Sequence, residues 1–194
     1  MPSPQALSES DRRIVAAWAA DCAERVLPLF EAEVPDDDRA RDAIARARGF
    51  ARGELDAAGQ IRRRFEAGRA AHAVTSPAAV AAARAAAQAS GVAHMGAHAL
   101  GAAAYAARAA GLAEPRLQAD GDRSDDRSGD PPTDRELRWQ LDHLTDPVRT
   151  ALRRLPALGT DTSGPLGPGL LARGALGEHI RALQHAIGSA TLSP

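Results

Sequence analysis

Residues 90–108 carry the side chains whose types and spacing could support chemistry. The stretch reads SGVAHMGAHALGAAAYAAR and places His94, His98, Gly101 and Tyr105 at positions i, i+4, i+7 and i+11. Because residues at these offsets share one stripe of an α-helix, the spacing predicts that both imidazoles project from the same face. The surrounding alanine and glycine would let neighbouring helices pack closely against that stripe. We therefore expect the two histidines to point into the interior of the protein.

Two imidazoles four residues apart on a helix can chelate a divalent transition-metal ion, provided that carboxylates arrive from neighbouring helices. Asp21 is one possible carboxylate, and His72 could add a further imidazole. The candidate metal ligands are His94, His98 and Glu54. The same spacing also occurs by chance in alanine-rich helices. The commoner alternative is a pair of histidines that hydrogen-bond to buried carboxylates or to Tyr105, with no cofactor.

Inward polar groups in a core of small apolar residues need an explanation, because burying them costs several kcal/mol unless each is paired. One explanation is a hydrogen-bonded network that fixes the register of the helices. The other is a pocket in which burial shifts the pKa values of acid and base groups toward neutrality. The candidates for acid–base catalysis are Asp21, Glu54, His94, His98 and Tyr105. Cys22 lies mid-helix beside Trp18, which favours a buried structural thiol over a nucleophile.

The distribution of charge argues against nucleic acid as a partner. The 194-residue chain has a net charge of −1, with 24 basic residues, all of them arginine, and 25 acidic residues. Since the two signs are interspersed along the chain, no basic face is expected. At 44% hydrophobic residues, the chain can bury a full core.

The cysteine content and the N-terminal sequence predict a cytoplasmic protein. Cys22 is the only cysteine, which excludes an internal disulfide and fits a reducing compartment. The first residues, MPSPQALSES, have neither a charged start nor an apolar run, so we expect no signal peptide. Charged residues interrupt every apolar run well before the length of a membrane span, and we expect no membrane association.

Helical periodicity predicts an all-α fold, a single alanine-rich helical bundle of about five core helices within residues 1–112. Residues 113–134 have few apolar side chains and are rich in Asp, Arg, Ser, Gly and Pro, which indicates a flexible linker or disordered insert. Residues 135–194 are expected to form a C-terminal helical segment that packs back on the core, with Trp139 available to dock and a loop at residues 158–169.

Capping residues and prolines set the expected helix ends. The first helix should begin near Ser8 or Ser10, with a kink or break near residues 24–27 caused by Pro28. Ser76 followed by proline predicts the start of the fourth helix. The fifth helix is expected over residues 92–110, and the last helix over residues 170–187. The apolar positions predicted to face inward on that last helix are Leu171, Leu176, Ile180, Leu183 and Ile187.

The segment IVAAWAADCAERVLPLFEAEVPDDDRARDAIARARGFARGE, with the alanine-rich helices and AHMGAHALGAAAYAARAA that follow, resembles the Imm-5-like domain of bacterial immunity proteins. The resemblance covers about residues 11–110, and the later RELRWQLDHL resembles the returning helix of that family. It rests on the histidine helix, on the acid-rich turn before Arg39 and Arg41, and on Trp18, Cys22, Glu24 and Phe30. The resemblance implies an all-α fold and a role in neutralising a toxin.

Two functions from different classes remain open at this point. The first is a non-catalytic, immunity-type binding protein whose partner is a toxin, favoured by the resemblance and by the lack of a complete catalytic motif. The second is a small-molecule enzyme or binding protein, possible in a biosynthetic or resistance pathway and in a metal-dependent form, built around the inward cluster. The acidic residues between positions 31 and 38 could mimic a polyanionic substrate of a toxin, although helix capping already accounts for several of them.

Overall fold

The computed structural model describes residues 3–119 and 129–189, and within these ranges it describes all side chains except those of residues 60–65, 67 and 114–119. The described residues form eight α-helices and one short 3-10 helix, and they contain no β-strand. The prediction of an all-α fold is therefore confirmed.

The first five helices follow one another with short connections, whereas a longer loop, residues 153–169, precedes the 3-10 helix. In chain order they are α1 (Glu9–Glu31), α2 (Arg39–Ala51), α3 (Ala57–Ala70), α4 (Pro77–Gly91), α5 (His98–Ala119), α6 (Pro132–Asp142), α7 (Asp146–Leu152), a 3-10 helix (Leu170–Ala172) and α8 (Gly174–Ser189). Part of the predicted insert at residues 113–134, namely residues 120–128, lies outside the described residues. On either side of this gap, α5 continues to Ala119 and α6 begins at Pro132.

The alanine-rich helices α4 and α5 lie at the centre of the core. Helix α4 contacts α1, α2, α3 and α5, and helix α5 contacts α1, α4, α6 and α8. Most of the alanines in both helices are fully buried. Because a methyl side chain allows two backbones to approach closely, each contact buries little area, and stability comes from several helices crossing the same pair.

Two of the predicted capping residues cap their helices in the structure. The side chain of Ser8 accepts a hydrogen bond from the backbone N–H of Asp11, and that of Ser76 accepts one from Ala79. These caps confirm the predicted starts of the first and fourth helices. Pro28 does not break α1, which runs uninterrupted to Glu31. The buried side chain of Phe30 packs the last turn into the core, which offsets the one hydrogen bond that proline removes.

The fifth helix differs from the prediction at both ends, since it begins at His98 instead of residue 92 and continues past Gly111. Residues 92–97 form a turn after α4, and the N-terminal segment pins this turn. The backbone N–H of Gly96 donates to Ala6 O (3.1 Å), and that of Ala97 donates to Gln5 O (3.0 Å). His94 therefore lies in this turn and not on the same helix as His98.

The C-terminal segment packs back on the helices of residues 9–119. Helix α7 contacts α1, and α6 and α8 contact α5 and each other. All five apolar positions predicted for the last helix are buried, but α8 begins at Gly174 instead of residue 170, and Leu171 lies in the separate 3-10 helix because the backbone is extended at Arg173. Trp139 is only partly buried, between the guanidinium of Arg25 and the stacked ring of His143. The buried face of α6 instead carries the polar side chains Glu136 and Gln140.

The loop at residues 158–169 is held in place by Gln5, whose side chain is fully buried. Gln5 Oε1 accepts a hydrogen bond from the backbone N–H of Leu166 (2.8 Å), and Gln5 Nε2 donates to the carbonyl of Ser163. Leu166 is itself fully buried. The N-terminal segment thus ties together the turn that carries His94 and the C-terminal loop.

Replacing Gln5 with alanine is expected to lower the free energy of unfolding by about 1–3 kcal/mol, because it removes the partner of the buried Leu166 amide and a contact with the Ser163 carbonyl. Hydrogen exchange should show faster exchange at the Leu166 amide than in the wild type. The control is Ser163→Ala, which changes an exposed side chain and keeps the carbonyl that Gln5 contacts. Unchanged protection of Leu166 in Gln5→Ala would contradict this role.

Candidate functional site

A cleft of about 360 Å³ lies between α4, α5 and the loop at residues 164–171. Its polar side chains are Arg84 and Gln88 from α4 and His98 and Tyr105 from α5. Its apolar lining comes mainly from Ala87, Pro165, Leu170 and Leu171. Two of the five predicted catalytic candidates, His98 and Tyr105, therefore share one cleft.

Gln88 orients the imidazole of His98. His98 Nδ1 lies 2.7 Å from Gln88 Oε1, and since an amide oxygen only accepts, Nδ1 carries the proton and donates it. The second ring nitrogen, Nε2, then keeps its lone pair. Burial, with a smaller contribution from the charge of His94, lowers the pKa of His98 to about 3. His98 is thus a neutral imidazole with a fixed tautomer at neutral pH.

His94 and His98 do meet, although the route differs from the one their spacing predicted. The centroids of their rings are 5.0 Å apart, with an interplanar angle of 56°. His94 reaches this position from the turn before α5, where its backbone N–H donates to Gly91 O. The pairing thus depends on the N-terminal segment that holds the turn, and not on a shared helical face.

Tyr105 is almost fully buried, and it lines the cleft together with Arg84. Burial raises the pKa of Tyr105, and the charges of Arg84 and Arg108 oppose that rise. Because a buried phenol is costly without a polar partner, the guanidinium of Arg84 favours this position of the Tyr105 side chain.

The carboxylates predicted to join the histidines lie elsewhere, in ion pairs. Asp21 Oδ1 is 2.7 Å from a guanidinium nitrogen of Arg48. Glu54 receives two hydrogen bonds of 2.7 Å from Arg52, which lower the pKa of the glutamate, and its side chain is 57% exposed. Gly53 explains the outward direction, since its φ of +83° turns the chain away from the inward stripe of α2.

The structure consequently brings His94, His98 and Tyr105 to one side of α5 but leaves Asp21 and Glu54 outside that group. His72, considered as a further ligand, lies exposed in the turn after α3. Within residues 3–119 and 129–189, no group of three or more His, Cys, Asp or Glu side chains is arranged to hold a metal ion. A site that combines His94, His98 and Glu54 is therefore not formed by the described side chains.

Cys22 is fully buried in α1, as its position beside Trp18 predicted. Burial raises the pKa of its thiol, and the nearby carboxylates of Glu136 and Asp21 raise it further. The thiol is therefore protonated at neutral pH and lacks the thiolate character that a nucleophile requires.

Two polar residues of the cleft, Arg84 and Gln88, escaped the sequence analysis. They are the only long polar side chains in α4 and lie four residues apart, so they share one face of an otherwise apolar helix.

Two glycines make room for the pair of Gln88 and His98. A Cβ at Gly91 would lie 2.9 Å from the His98 ring, and one at Gly101 would collide with Gln88 Oε1.

A second polar cluster anchors α6. Glu136 Oε2 accepts a hydrogen bond from Arg25 Nε (2.8 Å), and Gln140 Nε2 donates to Glu136 Oε1 and to Ala103 O, each at 3.1 Å. The indole N–H of Trp18 donates to the backbone oxygen of Gln140 (3.0 Å). Since these contacts join α1, α5 and α6, we interpret this cluster as a network that fixes helix positions.

The neutral state of His98 predicts a specific loss of stability in acid. The unfolded imidazole takes up a proton below pH 6.5, while the folded one, facing His94, Arg84 and Tyr105, stays neutral down to about pH 3. The contribution of the neutral His98 to the free energy of unfolding is thus complete above pH 6.5, and it falls as the pH drops toward 3. Both proteins should lose stability between pH 7 and pH 5. We expect the loss in unfolding free energy to be about 1–2 kcal/mol smaller in His98→Gln than in the wild type. Parallel denaturant titrations test this, and equal losses would contradict it.

These observations describe an all-α protein with a small polar cleft between α4, α5 and residues 164–171. No helix of the described part is long and apolar enough to cross a bilayer. The family model described as "Imm-5 like putative immunity protein" matches residues 5–147, and the chain belongs to this family. The match confirms the resemblance and includes the polar side chains of the cleft, whereas residues 164–171 lie outside it. No curated protein and no solved structure matches the chain significantly.

Proposed function

We propose that this protein neutralises a partner toxin by binding it, without catalysing a reaction. The observation that carries the proposal is the family match over residues 5–147, which spans α1 to α6. An immunity family suggests a protein as the partner. Binding by a helical bundle requires a rigid, preformed surface, and the tightly packed alanine core supports such rigidity.

The state of the titratable side chains supports a binding role over an enzymatic one. Asp21 and Glu54 each hold an arginine at the surface, and the Cys22 thiol is buried and protonated. An acid–base enzyme built on the predicted cluster would need those carboxylates beside His94 and His98. In the described geometry they neutralise arginines instead.

The acidic stretch before α2 has structural partners, which weakens the idea that it mimics a polyanion. Glu31 pairs with Arg41 (2.5 Å), and Asp37 pairs with Arg39. Glu33 accepts hydrogen bonds from the backbone N–H of Thr75 (2.6 Å) before α4, which lower the pKa of the glutamate. We therefore expect the toxin to recognise the shape and mixed charge of the surface and not one acidic patch.

Growth in the presence of a toxin tests the proposal in cells. The genes that flank this one are placed under an inducible promoter, and any that kills the host is induced with or without this protein while colony counts are compared. We expect this protein to restore growth, and a destabilised core variant such as Phe50→Ala, which empties a fully buried position, to restore less. Equal killing with and without this protein at matched toxin levels would contradict the proposal.

A further inference from the structure

We propose that the cleft between α4, α5 and residues 164–171 binds a small carboxylic acid with an apolar body, whose carboxylate is held by Arg84 and Gln88. This inference is independent of the proposed neutralisation of a toxin, because it concerns a cleft that a small molecule could enter with or without a protein partner. It rests on the charge, the hydrogen-bonding groups and the shape of the cleft.

The charge of the cleft favours a single negative charge on the ligand. Arg84 is the only charged side chain among its described lining residues, and that lining includes no carboxylate. None of the ion pairs between described residues involves Arg84, whose guanidinium shares the cleft lining with the phenol of Tyr105. An arginine in a partly enclosed cleft, with no acid beside it, attracts a monoanion.

The hydrogen-bonding groups specify a carboxylate with a nearby donor. The guanidinium carries five N–H groups in a planar fork, so a single contact with Tyr105 would still leave several for a ligand. Gln88 uses its Oε1 to accept from His98 and keeps its amide N–H groups as donors. His98 Nε2 can only accept, which favours a hydroxyl or N–H on the ligand next to the carboxylate.

The remaining lining favours an apolar body. Pro165 and Leu171 form part of the wall, and Leu170 lies at the cleft with 64% of its surface exposed. A ligand that covers an exposed leucine removes apolar surface from water, which favours binding. The volume of about 360 Å³ lies near the lower end of the range for ligand pockets, so the ligand has to be small.

The cleft is formed before any ligand arrives. Gly91 and Gly101 leave the space in which the pair of Gln88 and His98 sits, and Gln5 fixes the loop that forms the opposite wall. Gly164, which lines the cleft, has a φ of +85° and packs against the Gln5 side chain. A preformed site loses less conformational entropy on binding than a site that must be ordered.

The two walls of the cleft differ in origin. Arg84, Gln88, His98 and Tyr105 fall within the family match, whereas residues 164–171 fall outside it. The carboxylate-binding groups therefore belong to the shared part of the fold. The shape of the apolar wall is set largely by residues 164–171, which would select the body of the acid.

Titration calorimetry with matched probes tests the proposal. The probes are mandelate and phenylacetate, with phenylacetamide as the neutral analogue, each added up to about 10 mM to the full-length protein. We expect saturable binding of both acids, stronger for mandelate because its hydroxyl can donate to His98 Nε2. We expect binding of the amide to be at least about tenfold weaker than that of phenylacetate.

Variants then assign the binding to this cleft. Arg84→Gln should weaken phenylacetate binding at least about tenfold, and Arg149→Gln, on α7, serves as the control for loss of one positive charge. Since Arg84→Gln could also disturb Tyr105, a second variant is Leu170→Trp, which fills the cleft from an exposed position. It should abolish binding without lowering the melting temperature. The proposal is overturned if neither acid binds, if the amide binds as well as the acid, or if both cleft variants bind like the wild type.

Discussion

Replacing Trp18 with alanine is expected to lower the free energy of unfolding by about 3–5 kcal/mol. Trp18 is 2% exposed and projects from α1 into the protein core, so truncation removes a large buried apolar surface and leaves a cavity. Its indole N–H also donates to Gln140 O, one of the last carbonyls of α6, which have no partner within that helix. The variant should therefore weaken the docking of α6 as well as the core. Denaturant unfolding followed by circular dichroism measures the effect.

Trp18→Phe separates the two contributions of Trp18. Phenylalanine keeps most of the buried apolar area but cannot donate to Gln140 O, so we expect a loss of about 1–2 kcal/mol. Hydrogen exchange in α6 should increase in Trp18→Phe while that in α2 stays unchanged. A loss in Trp18→Phe as large as that in Trp18→Ala would show that the hydrogen bond, and not packing, dominates at this position.

Replacing Leu183 with alanine is expected to cost about 2–5 kcal/mol, although Leu183 lies outside the residues matched by the family model. Its side chain is fully buried, and α8 packs directly on α5. We therefore predict that the C-terminal segment and the helices of residues 9–119 share one core and unfold together. The measurement is thermal unfolding by calorimetry, in which the variant should show one transition at a lower temperature.

Leu170→Ala is the matched control, because the same substitution at an exposed leucine removes little buried surface. Its unfolding free energy should stay within about 0.5 kcal/mol of the wild type. Two separate transitions in Leu183→Ala, with the main one unchanged, would contradict a shared core. That outcome would instead make residues 135–194 an independent unit.

The features that depend on local sequence were predictable. Caps such as Ser8 and Ser76 act on backbone groups within three residues, and the apolar periodicity of α8 depends only on its own spacing. For the same reason the all-α fold followed directly from the sequence. The family could also be recognised, because its pattern lies in a contiguous segment that includes Trp18 and Cys22.

The features that depend on distant contacts were not predictable. His94 leaves the helical stripe because residues 5 and 6 hydrogen-bond to the turn at residues 96 and 97, a contact across about ninety residues. Glu54 points outward because Gly53 adopts a left-handed conformation, which periodicity alone does not reveal. The prediction of both residues in one metal or catalytic cluster failed for these two reasons.

The candidate site was predicted in part. His98 and Tyr105, seven residues apart on α5, were expected on one face and do line the same cleft. Arg84 and Gln88 were overlooked because they interrupt a nearly pure alanine helix, in which no motif singles them out. In the opposite wall, residues 164–169 were predicted as part of a loop and Leu170 and Leu171 as the start of the last helix, because nothing local indicates that Gln5 fixes this segment against the core.

Inhibition of the purified toxin tests neutralisation by binding most directly. A toxin identified among the products of the flanking genes is held at a fixed concentration well above the dissociation constant, and its activity is measured as this protein is added. We expect the toxin activity to decrease linearly with the amount of this protein added and to reach zero at a fixed molar ratio of small integers. Both chains should be recovered intact in one complex. Complete loss of activity at a small fraction of that ratio, or full activity in the presence of excess protein, would contradict the account.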